Sequence, residues 1–259
     1  MTDPVLYEER DDIAIITINR PEVMNAMDPE TYSELSQAWI DVRDDPDVWC
    51  AIITGAGDRA FSAGADLKKT IPVEAEKWHF WQTQEEQILN RGLEVWKPII
   101  AAVNGYCLAG GMTLLLGTDI RVAAEHASFG LSEVKRGILP GNGGTQRTIQ
   151  QLPYPIAMWL LMSGDRISAA EAAQYGLINK VVPMADLMDE AERMASVICQ
   201  NGPLAVRAIK ELAVRGQYLP IEYGLRMEQA IQQVLRTTED AKEGPRAFAE
   251  KRPAKFTGK

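Results

Sequence analysis

An α/β fold is predicted by three observations. Short apolar, β-branched runs recur through the first half of the chain, helical periodicities lie between and after them, and glycine-rich turns close the runs. Ile13-Ala14-Ile15-Ile16-Thr17-Ile18 reads as a strand ended by Asn19-Arg20-Pro21. Asp28-Pro29-Glu30 opens a helix, with Asp28 as N-cap and Pro29 at the first helical position. Tyr32, Leu35, Trp39 and Val42 give that helix one apolar face, and Asp44-Asp45-Pro46-Asp47 ends it. Cys50–Thr54, Ile99–Val103 and Asp119–Ala123 read as further strands, and their separation by helices implies parallel pairing through crossovers. From about Gln146 the chain reads as almost wholly helical, with apolar faces on Leu187, Ala191 and Met194, on Ala205, Ile209 and Leu212, and on Leu225, Ile231 and Leu235. Asn201-Gly202-Pro203 punctuates it, dividing a core at 1–200 from a helical region at 201–259. No internal repeat is evident.

The composition narrows the function classes. The 259 residues, 46% of them hydrophobic, are enough for one large core. A net charge of -9 provides no basic stripe for nucleic acid. Cys50, Cys107 and Cys199 are odd in number and widely spaced, which argues against a disulfide framework and for a reducing compartment. Two histidines, His79 and His126, stand too far apart to announce a metal site. No leader of basic-then-apolar character precedes Val5, and the apolar runs fall short of a bilayer span. The expectation is a cytoplasmic protein with no metal, membrane or nucleic-acid partner.

Chemistry concentrates in three glycine-rich blocks. Thr54-Gly55-Ala56-Gly57-Asp58-Arg59-Ala60 matches a loose dinucleotide pattern, but a second turn follows where a helix is needed, so it reads as a tight turn. Phe61-Ser62-Ala63-Gly64-Ala65-Asp66-Leu67 can present a bare backbone N–H beside Gly64. Ala109-Gly110-Gly111 precedes a helix-like run, where the N–H groups are unpaired. A ligand oxygen and close strand–helix packing explain those glycines equally well. Glu133, in Phe129-Gly130-Leu131-Ser132-Glu133, would by itself read as a surface carboxylate paired with Lys135 or Arg136. Together, two N–H donors and one carboxylate are the parts for forming and quenching an enolate.

In combination the blocks resemble the crotonase family, the enoyl-CoA hydratase/isomerase superfamily. The resemblance runs from Ile18-Asn19-Arg20-Pro21 and Asn25-Ala26-Met27 through Phe61–Leu67, Ala101–Gly105, Ala109–Gly111 and Phe129–Arg147 to Gly164-Asp165-Arg166-Ile167 and Gly176-Leu177-Ile178-Asn179. It implies an α/β spiral of ββα units with a helical C-terminal part that mediates trimerisation, as a homotrimer or a dimer of trimers. It implies an acyl-CoA substrate, with coenzyme A present only as part of the thioester and no tightly bound cofactor. The oxyanion donors fall on the N–H groups of Ala65 and Gly110. The CoA contacts fall around Met24, Ala26, Ala63, Asp66 and Leu67, with Lys255 and Phe256 reaching a neighbouring subunit's CoA.

One departure shapes the expected reaction. Hydratases of the family carry two glutamates, and here the first of those positions is Thr113 while Glu133 holds the second. A threonine hydrogen-bonds water but is no base near neutral pH. One carboxylate suffices to move a proton between the α and γ carbons, so double-bond isomerisation is the first expectation and hydration with Glu133 activating water the second. A non-catalytic acyl-CoA binder would have no use for Glu133. The Trp78, Phe80, Trp81 and Trp96 cluster is either helix core or the wall of an acyl pocket.

Overall fold

The computed structural model describes residues 3–70, 88–89 and 92–259. Trp78, Phe80 and Trp81 therefore lie outside the described residues. Among the described residues ten strands form two sheets. The larger runs in the order β1 (Val5–Arg10), β2 (Ile13–Ile18), β3 (Cys50–Gly55), β5 (Ile99–Val103), β7 (Ile120–Ala124), β10 (Lys180–Val182). The smaller runs β4 (Ala60–Ser62), β6 (Tyr106–Leu108), β8 (Ser128–Gly130), β9 (Arg166–Ser168). β2, β3, β5, β7 and β10 are parallel, as the crossover reading expected, and β1 adds an antiparallel edge.

The chain advances by repeating one unit. A strand of the large sheet is followed by a strand of the small sheet and then by a helical piece. β3 and β4 lead to the turn Leu67–Thr70, β5 and β6 to the helix Gly110–Leu115, and β7 and β8 to the 3-10 helix Ser132–Arg136. This is the ββα spiral implied by the resemblance. Its repeat is one of backbone rather than sequence, which is why no repeat shows in the residues.

The central strands β2, β3, β5 and β7 are buried on both faces, so they read as continuous apolar runs. Ala14, Ile16, Ile18, Ala51 and Ile53 join the main core with Trp39, Phe61 and Phe129. The alternate residues Ile13, Ile15, Cys50, Ile52 and Ile100 pack on Leu187, Ala191 and Ala195 of the helix Leu187–Cys199. Period-two alternation thus assigns each half of a strand to its own core.

The helix Pro29–Asp44 forms as its caps dictate: the Asp28 carboxylate accepts from the Thr31 N–H, and Pro29 loses no hydrogen bond at the first position. Beyond Gln146 the outcome differs from the sequence reading. β9 and β10 lie there, each three residues long and too short to carry a period of their own. The last three helices, Pro203–Gly216, Ile221–Leu235 and Glu239–Ala249, follow Gly202. Among the described residues no helix is long and apolar enough to cross a membrane.

Candidate active site

The site follows from the spiral. β4, β6 and β8 are parallel neighbours, so their C-terminal ends lie side by side. Ala65 comes just after β4, Gly110 just after β6 and Glu133 just after β8. Three successive turns of the chain deliver the three expected groups to one edge, the usual place for a ligand on a parallel sheet.

Local backbone geometry turns the two N–H groups outward. Gly64 (φ +97) precedes Ala65, and Ala109 (φ 48) precedes Gly110. Positive φ is natural for glycine and strained for alanine, and strain of this kind persists only where the surroundings hold it. Ala109 is held by its own N–H, which donates to the Gly130 carbonyl at 2.9 Å. Among the described residues neither the Ala65 nor the Gly110 N–H is spent on a backbone hydrogen bond. They are close together: a Cβ placed on Gly64 would come 2.8 Å from Gly110 N, and one on Gly110 would come 3.3 Å from Ala65 N. The pair therefore has the spacing to hold one oxygen between two donors.

Glu133 sits on the 3-10 helix Ser132–Arg136, half-buried, and its buried Oε2 accepts no hydrogen bond. Burial raises its pKa, opposed by a backbone hydrogen bond and by the positive charge of Arg136. Thr113 is buried on the helix Gly110–Leu115, and its Oγ1 donates to the Gly110 carbonyl at 2.9 Å.

A cavity of about 260 Å³ joins these groups. Of the residues the sequence singles out, Ala63, Ala65, Leu67, Gly110, Thr113 and Glu133 line it. Tyr32, Ser132, Arg136, Ile138, Leu139 and Asn142 line it as well, and sequence reasoning did not assign them to the site. The helical spacing places Tyr32 on the apolar face; the helix turns it toward Gly110, where an added Cβ would meet the phenol oxygen at 3.1 Å. The run Ile138-Leu139 was legible as an apolar break in a polar loop, and Leu139 is 73% exposed. Trp96 lies elsewhere, in an irregular stretch with the Arg215 guanidinium 4.9 Å above its ring, so it belongs to neither a helix core nor this cavity.

Met24, Ala26 and Asp66 do not line the cavity. They belong to the loop behind it, where two segments zip together. Ala63 N donates to Met24 O at 3.0 Å, Met27 N to Gly64 O at 2.8 Å and Asp66 N to Met27 O at 2.8 Å. Buried Asn25 ties this loop to β4: its side-chain amide donates to the Ala60 carbonyl at 2.6 Å and its backbone carbonyl accepts from the Ser62 hydroxyl at 2.8 Å. Lys255 and Phe256 do not line this cavity in their own chain. The Lys255 N–H donates to Glu243, and Phe256 packs beside Gly202 and Gly244.

Charge locks the same loop. Arg20 reaches Asp28 at 3.0 Å and Asp66 at 3.4 Å and donates to the Ala26 carbonyl, while Lys69 reaches Asp28 at 2.5 Å. Burial alone would raise the Asp28 pKa, but hydrogen bonds from Lys69 and Thr31 and the charge of Arg20 hold its carboxyl well below the usual range. Arg20→Leu is expected to cost about 2 kcal/mol, because it strips buried carboxylates of a charged donor while Lys69 remains. Urea denaturation at neutral pH measures this. The loss should shrink as the pH falls and Asp28 protonates, since a depressed carboxyl pKa contributes stability only above it.

The geometry agrees with what related proteins are called. The family model described as enoyl-CoA hydratase/isomerase matches residues 8–259. The (E)-benzylidenesuccinyl-CoA hydratase of Thauera aromatica is 42% identical over 98% of this chain and 99% of its own length. Enoyl-CoA hydratase EchA19 of Mycobacterium tuberculosis is also 42% identical, over 97% of this chain and 95% of its own. The crystal structure of an enoyl-CoA hydratase from Bacillus anthracis superposes with a TM-score of 0.92 at 35% identity, covering 99% of this chain and 100% of that one. With its spiral fold, full-length family match and close relatives, this chain belongs to the enoyl-CoA hydratase/isomerase family of enzymes, the crotonase superfamily.

Proposed function

We propose that the protein adds water to, or removes it from, the double bond of an acyl-CoA thioester, with Glu133 as its single acid–base group. The observation that carries this reading is the meeting of two unspent N–H groups and one half-buried carboxylate in a single cavity. The thioester oxygen sits between Ala65 and Gly110, whose N–H groups bind the enolate oxygen more strongly than the neutral carbonyl. Glu133 takes a proton from water as the water oxygen bonds to the β carbon. The electrons of the double bond pass to the thioester oxygen, and Glu133 returns the proton to the α carbon. Burial suits Glu133 to both halves, since a raised pKa brings a carboxyl closer to the working pH of an acid–base catalyst.

Hydration takes precedence over the isomerisation expected from sequence for two reasons. Thr113, Ser132 and Asn142 give the cavity polar side chains able to hold a water beside Glu133. The full-length relatives carry hydratase names. Double-bond migration remains the second reading, carried by Glu133 being the only carboxylate among the described cavity residues. A mixed panel of 2-enoyl- and 3-enoyl-CoA esters, incubated in water labelled with heavy oxygen, decides between them. Uptake of label supports hydration; a product of unchanged mass and shifted retention supports isomerisation and overturns the first reading.

Thr113→Glu sharpens the test. A second carboxylate in the cavity is expected to raise hydration of a simple 2-enoyl-CoA by about tenfold or more, less than the roughly 10² to 10⁴ that a fully positioned general base contributes. No gain would mean that Thr113 does not set the rate of water activation.

The CoA portion is assigned to the loop of Met24, Ala26, Ala63, Asp66 and Leu67. Lys255 and Phe256 are assigned to a neighbouring subunit's CoA within a trimer or a dimer of trimers. Unburied apolar faces support that assembly. The helix Ile221–Leu235 buries none of its residues and leaves Ile221, Tyr223 and Val234 well exposed. Light scattering in solution checks it.

A further inference from the structure

We propose that the acyl group accepted by this enzyme carries a second carboxylate, which the Arg136 guanidinium binds at the wall of the active-site cavity. The inference rests on the acyl-CoA reading above and names the class of acyl chain.

Arg136 closes the 3-10 helix that begins at Ser132, three residues after Glu133. In a 3-10 helix residues three apart project from the same face, so both side chains serve one cavity. Arg136 is the only cationic side chain among the described cavity residues. One nitrogen holds it in place: Nη1 donates to the carbonyl and to the hydroxyl of Ser132, both at 3.2 Å. Among the described residues it makes no ion pair, and its other N–H groups carry no hydrogen bond.

Acidic residues outnumber Lys and Arg by 36 to 27, and the neighbouring Lys135 pairs with Asp165. Among the described residues other arginines also lack a carboxylate partner, and what sets Arg136 apart from them is its place on the wall of this cavity. An arginine fixed by one nitrogen, with a free fork at the mouth of an apolar-walled cavity, is shaped to take a carboxylate from outside the protein. The phosphates of coenzyme A do not meet this need. The pantetheine arm separates them by many bonds from the thioester, whereas Arg136 stands one helical turn from the group that acts on the acyl carbons.

Binding of saturated, non-reacting esters tests the proposal without any chemical step. Titration calorimetry compares succinyl-, glutaryl- and adipyl-CoA with butyryl-, pentanoyl- and hexanoyl-CoA, and with free CoA. At least one carboxyl-bearing ester is expected to bind about tenfold tighter than its uncharged partner of equal length, the order of one charge-assisted contact. Arg136→Leu should remove that preference while leaving the uncharged esters and free CoA unchanged, and Arg136→Lys should restore part of it. The proposal is overturned if no carboxyl ester is preferred, if the preference survives in Arg136→Leu, or if that variant weakens free CoA equally, which would make Arg136 a phosphate contact. Because no turnover is read, failure here is separate from failure of the hydration reading, which the labelled-water experiment judges.

Discussion

Glu133→Gln is expected to lower kcat by about 10³ or more while leaving the affinity for a saturated acyl-CoA nearly unchanged. The amide keeps the shape of the carboxyl and removes its ability to take a proton. Since the binding of the thioester is assigned to Ala65, Gly110 and the loop behind them, the loss should appear in kcat rather than in Kd. Retained turnover would remove Glu133 from the mechanism under both the hydration and the isomerisation readings.

The same residue sets a pH dependence whose sign follows from its surroundings. Burial raises the Glu133 pKa, and Arg136 only partly offsets this. The carboxylate form is the base, so kcat/KM for hydration should fall on the acid side at a pH above the ordinary carboxylate range. Stability runs the other way. A carboxyl with a raised folded-state pKa costs nothing when both states are protonated, and costs stability once the pH has risen through that pKa. Glu133→Gln should therefore raise the melting temperature at neutral pH, with the gain vanishing in acid. A stability gain paired with lost activity is the usual sign of a residue kept for function.

Part of this was legible in the residues, and the boundary between legible and illegible is physical. The helix Pro29–Asp44 could be read because its cap, its proline and its apolar spacing are all local. β2, β3, β5 and β7 could be read because burial on both faces writes an unbroken apolar run. β4, β6 and β8 could not, because three residues show no alternation. Those are the strands that align Ala65, Gly110 and Glu133, so the sequence named the three groups without showing why they meet. Tyr32 was hidden by its place on an apolar helix face, and Asn142 by its place in a glycine-rich loop. The C-terminal helices were legible as helices with apolar faces, but not in what those faces meet: Ile209 is 67% exposed and Leu225 49%. Periodicity reports which face avoids water and is silent on whether the same chain covers it.

The second large effect belongs to Gly110. Gly110→Ala is expected to cost about 10² to 10³ in kcat, as much as the loss of one oxyanion donor, because the methyl keeps the oxygen from an N–H that is itself retained, with little change in stability. Gly110 has ordinary negative φ, and alanine is at least as good a helix former. The added methyl would stand 3.1 Å from the Tyr32 hydroxyl and 3.3 Å from Ala65 N, contacts that small shifts can relieve. That methyl occupies the space between the two donors, where the thioester oxygen is assigned. Gly64→Ala supplies the contrast. Its φ of +97 disfavours alanine, and the methyl would meet both Ala109 Cβ and Gly110 N at 2.8 Å. It should lower the melting temperature along with activity, because the damage falls on the turn itself. A folded, equally stable Gly110→Ala enzyme at full activity would move the thioester oxygen out of this gap. A folded, stable and inactive one would fix the oxygen there, since nothing else about the cavity has changed.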